Sequence, residues 1–153
     1  REGDYLMSRK IVLAMAATLL SAPMAMADAH AASGDAAAGE RLFNQCVTCH
    51  VVQNEAGDTL AGRNARNGPN LYDIAGKPWA HIADFRWSPG MQALNAAGIL
   101  VTEETFVAYV QDPTGYIREA TGDNSFRGAM SFRVRSEEDA INLYAYLVSL
   151  TAQ

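Results

Sequence analysis

Cys46 and Cys49 are the only cysteines of the chain, three residues apart, and His50 follows the second directly. Residues i, i+3 and i+4 share one face of a helical turn. Cys46-Val47-Thr48-Cys49-His50 would therefore point two thiols and an imidazole the same way. C-x-x-C-H is the attachment site of a c-type haem: the thiols add across two vinyl groups while the imidazole reaches the iron. Two other chemistries use paired cysteines. A redox dithiol should follow a strand in a βαβ unit, but the residues before Cys46 read as helix. Structural zinc wants four ligands, and only His30 or His81 could join. The motif thus predicts one covalent haem c per chain, with Cys46 and Cys49 as thioethers and His50 as the first metal ligand.

An iron held by one histidine needs a sixth ligand or keeps an open position, and that choice separates carrier from enzyme. After residue 27 the chain offers two methionines, Met91 and Met130. Met91, in Pro89-Gly90-Met91-Gln92, opens what reads as a small helix, where methionine usually fills core. Met130, in Arg127-Gly128-Ala129-Met130-Ser131-Phe132, sits in a loop that can swing across the far haem face. Met130 is the expected second ligand, with Met91 or an open site as the alternatives. His30 and His81 read as surface residues, able at most to displace Met130.

The elements that must position these groups are few. Asp35 reads as the N-cap of a short helix carrying Leu42 and Phe43 into the haem motif, after a loose Ala-rich leader. Residues 51–90 carry Gly and Pro at short intervals and no sustained periodicity. A loop of that length would be suspect in an ordinary domain, but it can wrap a prosthetic group that supplies the apolar surface. Thr102 opens a helix that Asp112-Pro113 stops at about Gln111. A second irregular stretch is expected from Gly115 to Phe132. Ser136 then caps a helix with an acidic first turn and a wide apolar stripe through Leu150. No strand pattern, repeat or nucleotide loop is visible.

The ends and the charge narrow the setting. Met7 can be the true start: Ser8-Arg9-Lys10 is a basic n-region, Ile11 to Leu20 an apolar h-region, and Ala25-Met26-Ala27 a small-x-small cleavage site. The apolar run is short for a membrane span, and Pro23 favours cleavage. Residues 1–27 are thus read as a signal peptide and 28–153 as one domain, soluble in the periplasm. The formal net charge is −5 for the chain. Removing 1–27, which carry +1, leaves −6, and nucleic acid is an unsuitable partner for such a domain.

Phe43-Asn44-Gln45-Cys46, the C-x-x-C-H, Ala61-Gly62-Arg63-Asn64-Ala65, Gly68-Pro69-Asn70-Leu71-Tyr72, Tyr109-Val110-Gln111-Asp112-Pro113 and Gly128-Ala129-Met130-Ser131-Phe132 together resemble class I cytochromes c. Within that group the likeness is to the longer bacterial type with an insertion in the ligand loop, here Ile117 to Arg127. The resemblance runs from about residue 34 to the end. It implies an all-α cytochrome c fold, with N- and C-terminal helices packed together at Gly39, Phe43, Leu143 and Tyr146 and loops wrapped around one haem. It also implies that the Pro69 carbonyl accepts the His50 ring N–H, that Asn70 belongs to the haem surroundings, that the Tyr109 hydroxyl lies near the Met130 sulfur, and that Phe132 covers the haem edge. Trp87 stands where a propionate-binding tyrosine is usual. Two departures touch the propionate network: Val101 replaces a tryptophan donor and Gly128 a threonine. Trp79 could compensate, or simply pack.

With both axial positions filled, the chemistry left is one electron in or out at a high potential, in a carrier rather than an enzyme. By resemblance the partners are membrane redox complexes, met in brief encounters by a monomer. The donor would be of the cytochrome bc1 type, and the acceptor a photosynthetic reaction centre or a terminal oxidase or reductase. Arg63, Arg66, Arg118, Arg127, Arg133 and Arg135 lie beside the Pro69 and Met130 segments. They suggest a weakly basic rim on an acidic body; ordinary surface charge is the plainer alternative. A small haem peroxidase, the haem subunit of a reductase, or a gas sensor would need a labile Met130 or a vacant iron position.

Overall fold

A computed structural model describes residues 31–151. The signal-peptide reading and His30 lie outside the described residues. The elements run α1 (Ala36–Leu42), a 3-10 turn (Phe43–Gln45), β1 (Val51–Gln53), β2 (Thr59–Gly62), α2 (Pro89–Ala96), α3 (Glu103–Gln111), α4 (Pro113–Thr121) and α5 (Glu137–Ser149).

α1 and α5, far apart in sequence, pack together at a close crossing. Gly39 is buried there, and a Cβ on it would lie 2.6 Å from the Asn142 carbonyl carbon and 2.7 Å from Tyr146 Cβ. Only glycine lets the two backbones approach so far. Phe43 meets Tyr146 beside the crossing, ring centroids 5.6 Å apart. The Asn142 side chain, the one buried polar residue of the core among those described, accepts the Asp35 N–H at 2.8 Å. The Asp35 carboxylate in turn caps α1 through the Ala37 and Ala38 N–H groups. The leader is held by its end: Ser33 donates through its N–H and its hydroxyl to Glu103, each at 2.6 Å.

α3 also packs on α5, with Phe106 against Tyr144 at 5.5 Å. Thr102 and Thr105 close a capping box at its start, and Ser136 caps α5 at Asp139. Both starts match the sequence expectation. So does the small helix at Met91, capped by Ser88 with Pro89 in its first turn.

Two elements depart from it. Val51-Val52-Gln53 pairs antiparallel with Thr59–Gly62, Val51 opposite Gly62 and Val52 opposite Ala61, with a bulge after Val52. Strands of three and four residues are too short to show alternation, and Gly57 at φ +89° is the turn between them. The all-α architecture therefore carries one small hairpin. The expected irregular stretch after Gly115 instead begins as helix α4. Pro113 ends α3 by lacking an N–H, and the same missing N–H suits the first turn of a new helix. Ile117 anchors α4 in the core, and Gly122 at φ +71° ends it.

Candidate functional site

The 3-10 turn hands α1 over to the cysteine motif without a break. The Cys49 and His50 N–H groups both donate to the Cys46 carbonyl, at 3.1 and 2.9 Å. That keeps 46–50 in one turn. Burial pushes the Cys46 thiol up to about 11, with the neighbouring Cys49 adding to it. Burial also lowers the His50 pKa, against an opposing effect of the Pro69 carbonyl. A neutral imidazole is the form that binds a metal.

The imidazole is fixed from two sides. Nδ1 lies 2.9 Å from the Pro69 carbonyl oxygen; a carbonyl only accepts, so Nδ1 carries the proton and Nε2 keeps its lone pair. Behind the ring stands Gly68, where a Cβ would lie 2.6 Å from Nδ1 and 2.8 Å from Nε2. The Gly68 N–H donates to the Cys49 carbonyl at 2.8 Å, tying the turn to the motif. The sequence reading gave Gly68 no part; its signal was a glycine directly before the ring's acceptor.

Both cysteines and His50 border a cleft of about 370 Å³. The cleft gathers segments from most of the fold: Pro69 and Asn70, the 79–88 stretch with Trp87, Tyr109 of α3, Met130 and Phe132, and Leu143 and Leu147 of α5. Each site residue expected from the sequence thus borders one cavity. Met130 reaches it half-buried from the loop after α4. Met91 also borders it, but from inside α2 and at 5% exposure, packed in the core. Tyr109 is buried, which pushes its phenol up to about 12. Phe132 keeps 41% of its surface exposed.

Several residues are engaged in ways the resemblance did not specify. The Asn70 amide is engaged with backbone: Nδ2 donates to the Gln53 carbonyl at 2.7 Å, and Oδ1 accepts from the Gln53 and Tyr72 N–H groups. Asn70 clamps the turn carrying Pro69 to β1. The Trp87 indole N–H donates to the Ile82 carbonyl at 2.8 Å. Trp79 is 7% exposed, and its indole N–H has no hydrogen-bond partner. Gly128 packs against Pro113, where a Cβ would lie 2.9 Å from the proline Cβ, and its N–H donates to the Thr114 hydroxyl oxygen. A threonine there would not fit this packing. Of the six rim arginines, Arg133 pairs with Asp112 at 2.9 Å and Arg118 donates to the Phe126 carbonyl at 2.8 Å. The basic rim is weaker than its arginine count suggests.

A mostly apolar slot with two thiols and a neutral imidazole on one wall, a thioether elsewhere on its lining and an unpartnered buried N–H suits a flat macrocycle bearing carboxylates. Among the described residues no three histidine, cysteine or acidic side chains could hold a metal ion together. No helix among them is long and apolar enough to cross a membrane.

No protein-family model matches the chain. Curated proteins and solved structures do. The chain is 56% identical over 118 residues to cytochrome c2 of Rhodovulum adriaticum, covering 77% of this chain and 94% of that protein. It is 47% identical over 127 residues to cytochrome c2 of Cereibacter sphaeroides, covering 82% and 88%. The structure superposes on that of cytochrome c2 from Rhodobacter sphaeroides with a TM-score of 0.74 at 48% identity, covering 76% of this chain and 95% of that one.

Proposed function

The chain belongs to the class I cytochromes c, in the cytochrome c2 family, and from that premise we propose that it is a soluble periplasmic one-electron carrier whose iron is held between His50 and Met130. Members of the family carry one covalently bound haem c, and Cys46 and Cys49 are the thiols that would anchor it here. Bound in the cleft, the haem supplies a one-electron couple between ferric and ferrous iron.

The protein supplies the rest. Pro69 and Gly68 hold the His50 ring in one tautomer and one plane, a constraint from outside the ligand itself. The thioether of Met130 is a soft, uncharged donor that favours the lower metal charge. Phe106, Tyr109, Val110, Leu143 and Leu147 keep water from the cleft, and low polarity disfavours the extra positive charge of the oxidised state. The thioether and the low polarity raise the potential, while the Pro69 hydrogen bond makes the imidazole more basic and offsets part of that rise. The observation that carries the reading is that Met130 and His50 border the same cleft that holds both cysteines.

The test is Met130→Ala in the holoprotein. The midpoint potential should fall, the weak near-infrared band of methionine ligation should vanish, and exogenous ligands should bind. An unchanged potential would refute the ligand assignment. The proposed partners are membrane redox complexes, a bc1-type donor and a reaction centre or terminal oxidase or reductase as acceptor. Exposed Arg63, Arg66, Arg127 and Arg135, close in sequence to segments that line the cleft, favour brief docking to acidic surfaces.

A further inference from the structure

We propose that Trp79 anchors a haem carboxylate, its indole N–H donating to one propionate from within the protein. The inference rests on the haem reading above and names a residue for it. The Trp79 Nε1 is the one buried side-chain nitrogen or oxygen without a hydrogen-bond partner among the described residues. A buried polar group left unsatisfied is costly and calls for a partner. The other tryptophan, Trp87, has one in the Ile82 carbonyl.

Trp79 cannot easily turn its N–H elsewhere. Residues 76–79 run against 99–101: the Gly76 N–H donates to the Val101 carbonyl, the Val101 N–H to the Lys77 carbonyl, and the Trp79 N–H to the Ile99 carbonyl, at 2.8, 2.8 and 3.0 Å. The Trp79 carbonyl accepts the Asn95 amide at 2.7 Å. Its ring packs against Tyr109 at 4.8 Å and Tyr116 at 6.0 Å. The Tyr116 hydroxyl is near enough for the indole to counter part of the burial effect on its pKa, yet outside hydrogen-bond geometry. Ala80, the next residue, sits at φ +55°, an uncommon conformation for a residue with a Cβ. Backbone, stacking and turn all hold this ring at the cleft wall.

A donor so placed selects its ligand. An apolar cleft accepts a carboxylate only where a hydrogen bond meets it, and an N–H to an ionised oxygen is among the stronger bonds available. The ladder pairs Trp79 with Ile99, two residues before Val101, and the small side chain of Val101, which also borders the cleft, offers no donor. The tryptophan that resemblance leads one to expect at 101 is thereby replaced from the neighbouring strand of chain.

Trp79→Phe in the holoprotein keeps an aromatic ring, though a smaller one, and removes the N–H. The propionate pKa, read from the pH dependence of the midpoint potential, should rise by about one unit or more, because a bond to the charged form is lost. The propionate bending mode in resonance Raman spectra should shift with it. Arg86, His81, Tyr109 and Tyr116 also border the cleft or the ring. His81 is a second titratable group at the cleft, so both proteins are also measured with His81→Asn. In the unaltered protein, the Trp79 indole signal should titrate with the propionate in nitrogen-edited NMR while that of Trp87 does not. An unmoved pKa and Raman mode in a variant that keeps covalent haem and the methionine band would overturn this proposal alone. So would a Trp79 signal that ignores the propionate. A protein without covalent haem would overturn the functional reading as well.

Discussion

Replacing Gly68 by alanine tests the wall behind the imidazole. The new Cβ would start 2.6 Å from His50 Nδ1, against 3.4 Å or more in ordinary contact, so ring and turn must part by about 1 Å. The turn cannot retreat freely. Its N–H is bonded to Cys49, and the next residue, Pro69, holds the ring at 2.9 Å. Overpacking of this kind costs about 1–3 kcal/mol, and one lost hydrogen bond adds about 1 kcal/mol. A stiffer unfolded chain returns about 0.4–1 kcal/mol. The net is a loss of about 1–3.5 kcal/mol. It should appear in denaturant titration of the holoprotein as a lower midpoint at unchanged slope. The displaced ring should also let iron ligation fail at a higher pH on acid titration of the visible spectrum. A variant with the parent's midpoint and spectrum would refute the argument that ring proximity is what demands a glycine.

Gly39→Ala should cost about 2–3 kcal/mol, because both neighbours of the new Cβ, the Asn142 carbonyl and Tyr146 Cβ, belong to α5 near its backbone; urea titration with hydrogen exchange at α1 would measure it. Tyr109, with its phenol raised from 10 to about 12, stays neutral in the folded protein while the unfolded chain ionises. Stability should therefore fall as pH rises from about 10 to about 12, by up to about 2–3 kcal/mol. Tyr109→Phe should flatten that slope, and an equally steep fall would place the effect on other tyrosines. Electron transfer to an acidic partner complex should slow with ionic strength, gently, since Asp112 already offsets Arg133. A flat or rising rate would remove the basic rim.

What the sequence made legible was chemistry with fixed spacing and helix starts with side-chain caps. Cys46, Cys49 and His50 needed one turn and have it. Asp35, Thr102 and Ser136 cap the helices they were expected to cap, because a cap is a local bond between near neighbours. The hairpin at Val51 was hidden because its strands are shorter than two periods of alternation. Helix α4 was missed because Pro113 served two roles, and only the terminating one was read. Asn70 and Trp87 were placed by resemblance, whereas their hydrogen bonds depend on which carbonyls the loops bring near, Gln53 and Ile82. The close approach of Gly68 to His50 likewise exists only once the 63–70 loop has folded back on the motif.

The hydrogen bond from the Asp35 N–H to Asn142 spans 107 residues, and its consequence is one of timing. As the polypeptide is made from its amino end, α1 has no partner to lie on until α5 exists. Meanwhile the cysteine turn that follows α1 stays uncovered on the side Leu143 and Leu147 will later shield. Contacts of such long range form late. Pigment attachment, which needs both sulfurs accessible, thus has until α5 docks on α1 before the last helix covers that side.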